Sequence, residues 1–181
     1  TVTSDNQTDD SSFGVINFQP TGDTQIDQVL ADMLTTKADE KEALITIFSE
    51  TKKAFDEEAQ KLGRRNDLAL VFTFFISACV TVYHDSPEPT EEATESLYQT
   101  IAELLNESSD IAQMSNEDKN ITADKLIYIS GLIYTGYLTG KQTQDIETTN
   151  IYRQTAGICL ESLIGLSPET LKFDKNGLII S

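Results

Sequence analysis

Two adjacent arginines are the residues best suited to bind a ligand in this sequence. Arg64 and Arg65 are followed by Asn66 and Asp67, and then by a long apolar run. Asn and Asp are favoured residues for capping a helix, and both a helix N-terminus and a guanidinium group favour anions. The spacing therefore predicts a site for a small molecule or anion at Arg64, Arg65, Asn66 and Asp67. The competing interpretation is that the arginines pair with the abundant surface carboxylates.

The other reactive side chains form weaker patterns. His84 is the only histidine, and a zinc site normally needs three or four protein ligands in recognisable spacing. We therefore expect His84 to cap the C-terminus of the helix before it. Cys79 and Cys159 lie within apolar helical patterns, which favours two buried free thiols over a disulfide or a reactive thiol.

Neither the aromatic nor the acidic residues indicate a known active site. Tyr128, Tyr134, Tyr137 and Tyr152 recur at helical spacing, which is more typical of a core than of a pocket. An enzyme with an unfamiliar carboxylate site would need a buried pair of acids, whereas nearly all the acids fall on predicted polar faces. The sequence contains no glycine-rich phosphate loop and no nucleophile elbow. We predict no catalytic residue, no metal site and no cofactor.

The charge balance restricts the partners that this chain can bind. It has 30 acidic and 13 basic residues, a formal net charge of −17. This charge argues against nucleic acid, whose phosphates require basic side chains, and against an anionic membrane surface. The longest apolar run, 68–83, is shorter than the roughly 18 residues of a membrane span. We expect a soluble protein without membrane insertion, whose partner is unknown but could be another protein, and whose oligomeric state stays open.

Apolar periodicity predicts an all-α fold of about six helices and a small β-hairpin. The run 68–83 is apolar on every side, which predicts a central helix surrounded by the others. The amphipathic helices predicted around it span about 24–36, 39–62, 90–105, 115–140 and 144–164. The pair Asn176-Gly177 lies between two apolar triplets and is typical of a tight hairpin turn. Residues 13–18 could add a third strand to this hairpin.

The N-terminus differs in composition from the rest of the chain. Residues 1–12 are polar and are predicted to be a mobile tail, while residues 13–181 are predicted to form a single helical domain. The sequence begins at Thr1 rather than at Met. Removal of an export signal and trimming of the sequence are both compatible with this beginning.

Several short motifs occur in an order known from one protein family. They are, in chain order, Phe18-Gln19-Pro20, Gly63 to Asp67, Val82-Tyr83-His84, Met114-Ser115, Asp118-Lys119, Gly165-Leu166, Leu171-Lys172-Phe173 and Gly177-Leu178. From Phe18 to Ile180 the chain resembles an uncharacterised family of exported bacterial proteins, a domain of unknown function. The resemblance implies a helical fold and export, and it implies no activity. The tyrosine-rich central segment usual in that family is replaced here by Phe74, Phe75 and Cys79.

Three functional hypotheses follow from the sequence. The favoured one is a non-enzymatic, exported interaction or binding protein, found in the periplasm, on the cell surface or in the medium. The first alternative is a small-molecule or anion binder with its site at the N-terminus of the central helix. The second alternative is an enzyme with an unrecognised carboxylate site.

Overall fold

The computed structural model describes residues 14–181, in which seven helices precede one β-hairpin. The mobile tail predicted over residues 1–12 lies outside the described residues. The helices are α1 (Ile26–Leu34), α2 (Ala38–Lys61), α3 (Leu68–His84), α4 (Glu91–Glu107), α5 (Ser109–Gln113), α6 (Asn116–Thr143) and α7 (Ile146–Ile164). The predicted all-α fold with a small hairpin is confirmed, and the short α5 is the addition to the six predicted helices.

Helix α3 is the central helix that its all-round apolar sequence predicts. It packs against α4, α6 and α7, and its residues Leu68, Phe75 and Cys79 are buried. Asp67 caps its N-terminus, because the Oδ1 atom accepts a hydrogen bond from the Leu70 N–H at 3.1 Å. No helix within residues 14–181 is both long enough and apolar enough to cross a bilayer.

Helix α6 lies between α2, α3 and α7, and it approaches two of these neighbours through bare backbone. A Cβ atom added to Gly131 would lie 2.0 Å from the Thr51 Oγ1 atom of α2. A Cβ atom added to Gly136 would lie 2.0 Å from the ring of Tyr152 on α7. Glycine in a helix interior costs about 1 kcal/mol relative to alanine. Here it permits close packing that no other residue allows without movement of its neighbours.

The C-terminal hairpin is formed by β1 (Leu171–Asp174) and β2 (Gly177–Ile180) in antiparallel register. The Asp174 carboxylate accepts hydrogen bonds from the N–H groups of Asn176 and Gly177, at 2.7 and 3.1 Å. Gly177 has a φ of 150°, a backbone conformation that favours glycine. Asp174 and Gly177 thus stabilise the turn. The hairpin packs on α3 and α4.

The third strand expected from residues 13–18 does not form within the described part of this segment, residues 14–18. Within residues 14–181 the sheet has two strands, and residues 16–18 instead run beside residues 66–68. The Phe18 N–H donates to the Asn66 carbonyl oxygen at 3.1 Å. The prediction was wrong because the backbone groups of this segment find their partners at the start of α3 rather than at the edge of the hairpin.

Candidate functional site at the start of the central helix

The four residues predicted to bind a ligand occupy the short loop between α2 and α3. Gly63 ends α2 with a φ of 69°, and Asn66 has a φ of 54°. Glycine adopts these left-handed angles freely and asparagine tolerates them, so the chain can change direction twice within four residues. The backbone bond from Phe18 to Asn66 fixes this loop against the N-terminal segment.

Arg64 and Asp67 are held by partners within the protein. The Nη1 and Nη2 atoms of Arg64 each donate to the Glu95 carboxylate at 2.8 Å, and the Arg64 Cζ atom lies 3.6 Å from the Tyr98 ring centroid. The Tyr98 hydroxyl donates to Asp67 Oδ2 at 2.7 Å. The other carboxylate oxygen of Asp67 caps α3 as described. We call Arg64, Asp67, Glu95 and Tyr98 the Arg64 network.

The contacts of the Arg64 network fix the protonation of two of its members. Hydrogen bonds from Arg64 and then from Gln99 lower the pKa of Glu95 to about 2, so this carboxylate is ionised at neutral pH. Burial and the hydrogen bond to Asp67 raise the pKa of Tyr98 to about 12, so its phenol stays a donor. The network is therefore satisfied without a ligand.

Arg65 and Asn66 line a different space, which we call the polar cavity. It has a volume of about 240 Å³ and lies between α2, α3, α6 and the N-terminal segment. Its apolar wall consists of Phe18, Phe55, Val71, Ala123 and Ile127. Its polar and charged residues are Lys52, Asp56, Arg65, Asn66, Asp67, Asn120 and Asp124. An apolar wall on which a few polar groups converge is the usual construction of a small-molecule site.

Asn120 and Asp124 are the buried polar residues that α6 contributes to the polar cavity, one helical turn apart. Asn120 exposes 8% of its surface and Asp124 exposes 7%. The Asn120 amide makes no hydrogen bond to another residue within 14–181, although the residue lines the cavity. Asp124 Oδ2 accepts from the Thr24 hydroxyl at 2.7 Å, and burial raises the pKa of Asp124 above its usual value. Buried polar groups are normally paired, so these two have bonding capacity left for a ligand.

Lys52, Asp56 and Arg65 also line a second cleft of about 420 Å³, which lies beside α2 and reaches α1 and α6. The Lys52 Nζ atom donates to both carboxylate oxygens of Asp56 at 2.6 Å, so these two charges compensate each other. Arg65 is exposed and forms no ion pair with another residue of the described chain. A guanidinium group with five donors and no carboxylate partner can bind an anionic group at this side of the cavity.

The sequence as a whole shows the family to which the chain belongs. The model of a family of unknown function, DUF6683, matches residues 4–181. The chain belongs to DUF6683. No curated protein and no solved structure matches it. Membership of DUF6683 assigns no activity, so a function has to be inferred from the geometry of this chain.

In this DUF6683 chain, His84 connects α3 to the C-terminal segment. The Nε2 atom lies 3.1 Å from the carbonyl oxygen of Pro168 and 2.7 Å from that of Leu171. The C-cap residue of α3 is Asp85, which directly follows His84 and has a left-handed φ of 52°. The predicted capping role of His84 is therefore wrong, because its ring reaches carbonyl groups of a neighbouring segment instead of those of its own helix.

A larger cleft of about 460 Å³ lies beside His84. It is lined by Tyr83, His84, Asn150, Arg153, Gln154, Glu169 and Lys172. The Nε atom of Arg153 donates to the Tyr83 carbonyl oxygen at 3.0 Å, and His84 is held by the two carbonyl groups just described. This cleft is a weaker candidate than the polar cavity, because none of the side chains that line it is buried.

The four tyrosines of α6 and α7 occupy separate places. Tyr134 and Tyr137 donate their hydroxyl hydrogens to two carboxylates in the loop 85–90. Tyr152 packs against the backbone of α6, and Tyr128 stacks on a phenylalanine of α2. These tyrosines therefore fix the loop and the helices in which they lie and do not line one common pocket.

The two cysteines agree with the interpretation as free thiols. Cys79 is fully buried in α3, and Cys159 is partly buried in α7. Burial raises the pKa of both thiols above the usual value. Since the thiolate is the reactive form, neither side chain has the environment of a nucleophile.

The sequence analysis did not predict Asn120 and Asp124 as site residues. The acids were expected on polar faces, but Asp124 lies on the inner face of α6 together with Ala123 and Ile127. A signal was present, because Asn120, Asp124 and Ile127 have the i, i+4, i+7 spacing that places residues on one helix face. Polar residues in line with a buried isoleucine indicate an inner face that is only partly apolar.

Proposed function

We propose that this chain is a non-enzymatic binding protein that holds a small polar molecule in the polar cavity. The observation that carries the proposal is Asn120, a residue that exposes 8% of its surface, lines the polar cavity and makes no side-chain hydrogen bond within residues 14–181. The amide faces a cavity with an apolar wall, where a ligand can pair with it. Arg65 and Asn66 bring part of the predicted loop site to the same ligand.

An enzyme with a carboxylate site is the second candidate, and one observation favours it. Asp67 and Asp124 are both buried, and both line the polar cavity. General acid and base catalysis by a carboxylate pair needs both groups free to exchange protons with the substrate. Both oxygens of Asp67 already accept hydrogen bonds, from Leu70 and Tyr98. Only Asp124 has an oxygen without a partner in the described chain, which supports binding over catalysis.

The proposal also includes an exported, bacterial protein whose residues 13–181 form one domain. The family resemblance of the sequence supports export, and the packing of α4, α6 and α7 around α3 supports one domain. The net charge of −17 supports a partner other than nucleic acid or an anionic membrane. Fractionation of the native cells, with an antibody against this chain, tests export: detection in the cytoplasm alone contradicts it.

The binding function is tested by thermal melts of the purified protein with small amino acids, amines, carboxylates and sugars. The same panel is run on Asn120→Leu, which removes the amide and fills space, and on the surface control Asn106→Leu. A ligand at about 100 times its Kd adds about 2.7 kcal/mol to the free energy of unfolding. We expect one class to raise the Tm of the wild type and of Asn106→Leu but not that of Asn120→Leu.

Two results would contradict a ligand in the polar cavity. The first is an unchanged Tm of the wild type with every compound of the panel. The second is an equal rise in Tm for the wild type and for Asn120→Leu, which would place the ligand elsewhere. In the first case a protein partner becomes the main hypothesis, and pull-down experiments with the purified chain are the next step.

A further inference from the structure

The charges around the polar cavity specify a class of ligand, an inference that rests on the proposed function. We propose that the ligand is a small zwitterion, with an ammonium group and a carboxylate on neighbouring atoms as in a free amino acid. The ammonium group binds Asp124 and Asn120 inside the cavity. The carboxylate binds Arg65 at the rim. The apolar part of the ligand lies against Phe55 and Ile127.

The interior of the cavity requires a positive group. Asp124 is 7% exposed and accepts one hydrogen bond within the described chain, from Thr24, whereas a carboxylate has about four acceptor sites. Lys52, the lysine in the cavity wall, is bound by both oxygens of Asp56 at 2.6 Å. The charge of Lys52 acts on Asp124, but Lys52 donates its hydrogen bonds to Asp56. A buried carboxylate without a hydrogen-bonded cation is costly. An ammonium group supplies such a cation and three donors, one of which the Asn120 carbonyl oxygen can accept.

The rim of the cavity has a positive group that suits an anion. Arg65 lines the cavity, is exposed, and has no carboxylate partner within residues 14–181. Its planar guanidinium group suits the two oxygens of a carboxylate. An isolated anion would be a poor ligand for this cavity, because it would lie close to the buried charge of Asp124. An isolated amine would leave Arg65 without a partner, so a molecule with both groups satisfies the site better than either.

The size of the cavity limits the ligand to a small molecule. Its volume of about 240 Å³ is below the roughly 300–1,000 Å³ of sites for drug-sized ligands. Its apolar wall, which includes Phe55 and Ile127, can bury an aliphatic side chain. The largest aromatic amino acids are expected to bind less well than small aliphatic ones.

The test compares each zwitterion with its two halves. The twenty standard amino acids are screened by thermal melts, and binding of each positive compound is measured by isothermal titration calorimetry. The amine without the carboxylate and the acid without the ammonium group are then titrated under the same conditions. A hydrogen bond to a charged group contributes about 1.5–3 kcal/mol. Each half is therefore expected to bind at least about tenfold more weakly than the intact amino acid.

Two variants identify which residue binds which end of the ligand. Asp124→Asn retains an acceptor for Thr24 and removes the charge, so the amino acid should lose at least about tenfold in affinity while the acid half binds no worse. Arg65→Gln should weaken the amino acid by a similar factor while the amine half is unaffected. The matched controls are Glu103→Gln and Lys175→Gln, which remove one charge of each sign from exposed positions.

The possible failures are distinguishable. If an amine half binds as tightly as its amino acid, and Arg65→Gln leaves both affinities unchanged, the zwitterion is ruled out while a ligand in the cavity stands. A second result has the same meaning: no amino acid raises the Tm, but another compound of the panel raises the Tm of the wild type and not that of Asn120→Leu. The zwitterion is then ruled out, while a ligand in the cavity stands. If no compound of the panel shifts the melt of the wild type, the inference and the proposed function both fail.

Discussion

Arg64 and Arg65 are neighbours in the chain, but they belong to two regions whose polar groups differ in how they are paired. In the Arg64 network each charged or polar side chain has a partner within the protein. The polar cavity shares Asp67 with this network, and its Lys52 and Asp56 pair with each other. Its Asn120 amide, however, has no partner in the described chain, and Asp124 has one. Paired polar groups stabilise a fold, whereas unpaired buried groups destabilise it and often mark a functional site. The comparison assigns the first region to folding and the second to binding.

The largest change in stability that we predict concerns Asp67, and it tests the structural role of the Arg64 network. Asp67→Ala removes the N-cap of α3, at a cost of about 1 kcal/mol, and leaves the buried Tyr98 hydroxyl without its acceptor, at about 1–3 kcal/mol. We expect the free energy of unfolding to fall by about 2–4 kcal/mol in urea titrations. Asp67→Asn, which retains one acceptor oxygen for the cap, should lose less. A loss below about 0.5 kcal/mol for Asp67→Ala would show that the Arg64 network is not structural.

The two arginines provide the most direct comparison. Arg64→Ala removes the contact with the Tyr98 ring, worth about 0.5–1 kcal/mol, and a partly exposed pair with Glu95, worth about 0–1 kcal/mol. We expect a total loss of about 1 kcal/mol in urea titrations. Arg65→Ala should change the free energy of unfolding by less than about 0.5 kcal/mol, because the side chain is exposed and unpaired in the described chain. A larger loss for Arg65 than for Arg64 would reverse the assignment of the two regions.

Lowering the pH should change the contributions of the two regions to the free energy of unfolding in opposite directions. The pKa of Glu95 falls from 4.5 to about 2 in the folded protein because of Arg64, so its stabilisation is present above pH 4.5 and is lost as the pH falls towards 2. The pKa of Asp124 is raised by burial above its usual 3.8. Its ionisation therefore destabilises the folded protein at neutral pH, and this cost disappears as the pH falls below 3.8.

Thermal melts of two isosteric variants between pH 7 and pH 3 show whether each carboxylate stabilises or destabilises the folded protein. Glu95→Gln should melt below the wild type at pH 7, and Asp124→Asn should melt above it. Both differences should shrink towards pH 3, since the wild-type carboxylates are then increasingly protonated in one or both states. An Asp124→Asn variant that melts below the wild type at pH 7 would mean that Asp124 has a favourable partner, and that the polar cavity is not short of a cation.

Local patterns in the sequence were sufficient to predict most of the helices. The apolar run 68–83 predicted the buried α3, and Asp67 was predicted among its caps and does cap it. The pair Asn176-Gly177 predicted the hairpin, whose two strands meet at Asp174 and Gly177. These features depend on spacing within one element, which the sequence displays directly. The short α5 was not counted among the six helices, because five residues are too few for a periodic pattern.

The polar cavity could not be predicted because it depends on contacts between distant parts of the chain. The Lys119 ammonium group donates to the Val15 carbonyl oxygen at 2.6 Å, across 104 positions of sequence. Thr24 reaches Asp124 across 100 positions. The N-terminal segment is thereby held on α6 and closes one side of the cavity. Periodicity within α6 showed which residues share a face, but it could not show that this face meets the N-terminal segment.

The last prediction concerns the effect of Asn120 on stability, and it tests the assignment of the polar cavity to binding. Asn120→Leu removes an amide that has no partner in the described chain and adds apolar volume beside Ala123 and Ile127, so the free energy of unfolding should stay within about 1 kcal/mol of the wild type or rise. Ser130, fully buried on the same helix, is the control, because its hydroxyl donates to the Leu126 carbonyl oxygen at 2.6 Å. Ser130→Ala should lose about 0.5–1.5 kcal/mol.

Asn120→Leu could be more stable than the wild type and also fail to respond to the ligand. This result would mean that the amide contributes to binding and lowers the free energy of unfolding. Its contribution would then oppose that of Asp67, whose two oxygens each accept a hydrogen bond that stabilises the fold. A loss as large as that of Ser130→Ala would mean instead that Asn120 is paired in the folded protein. In that case both residues would have the same structural role, and the polar cavity would lose its main argument as a ligand site.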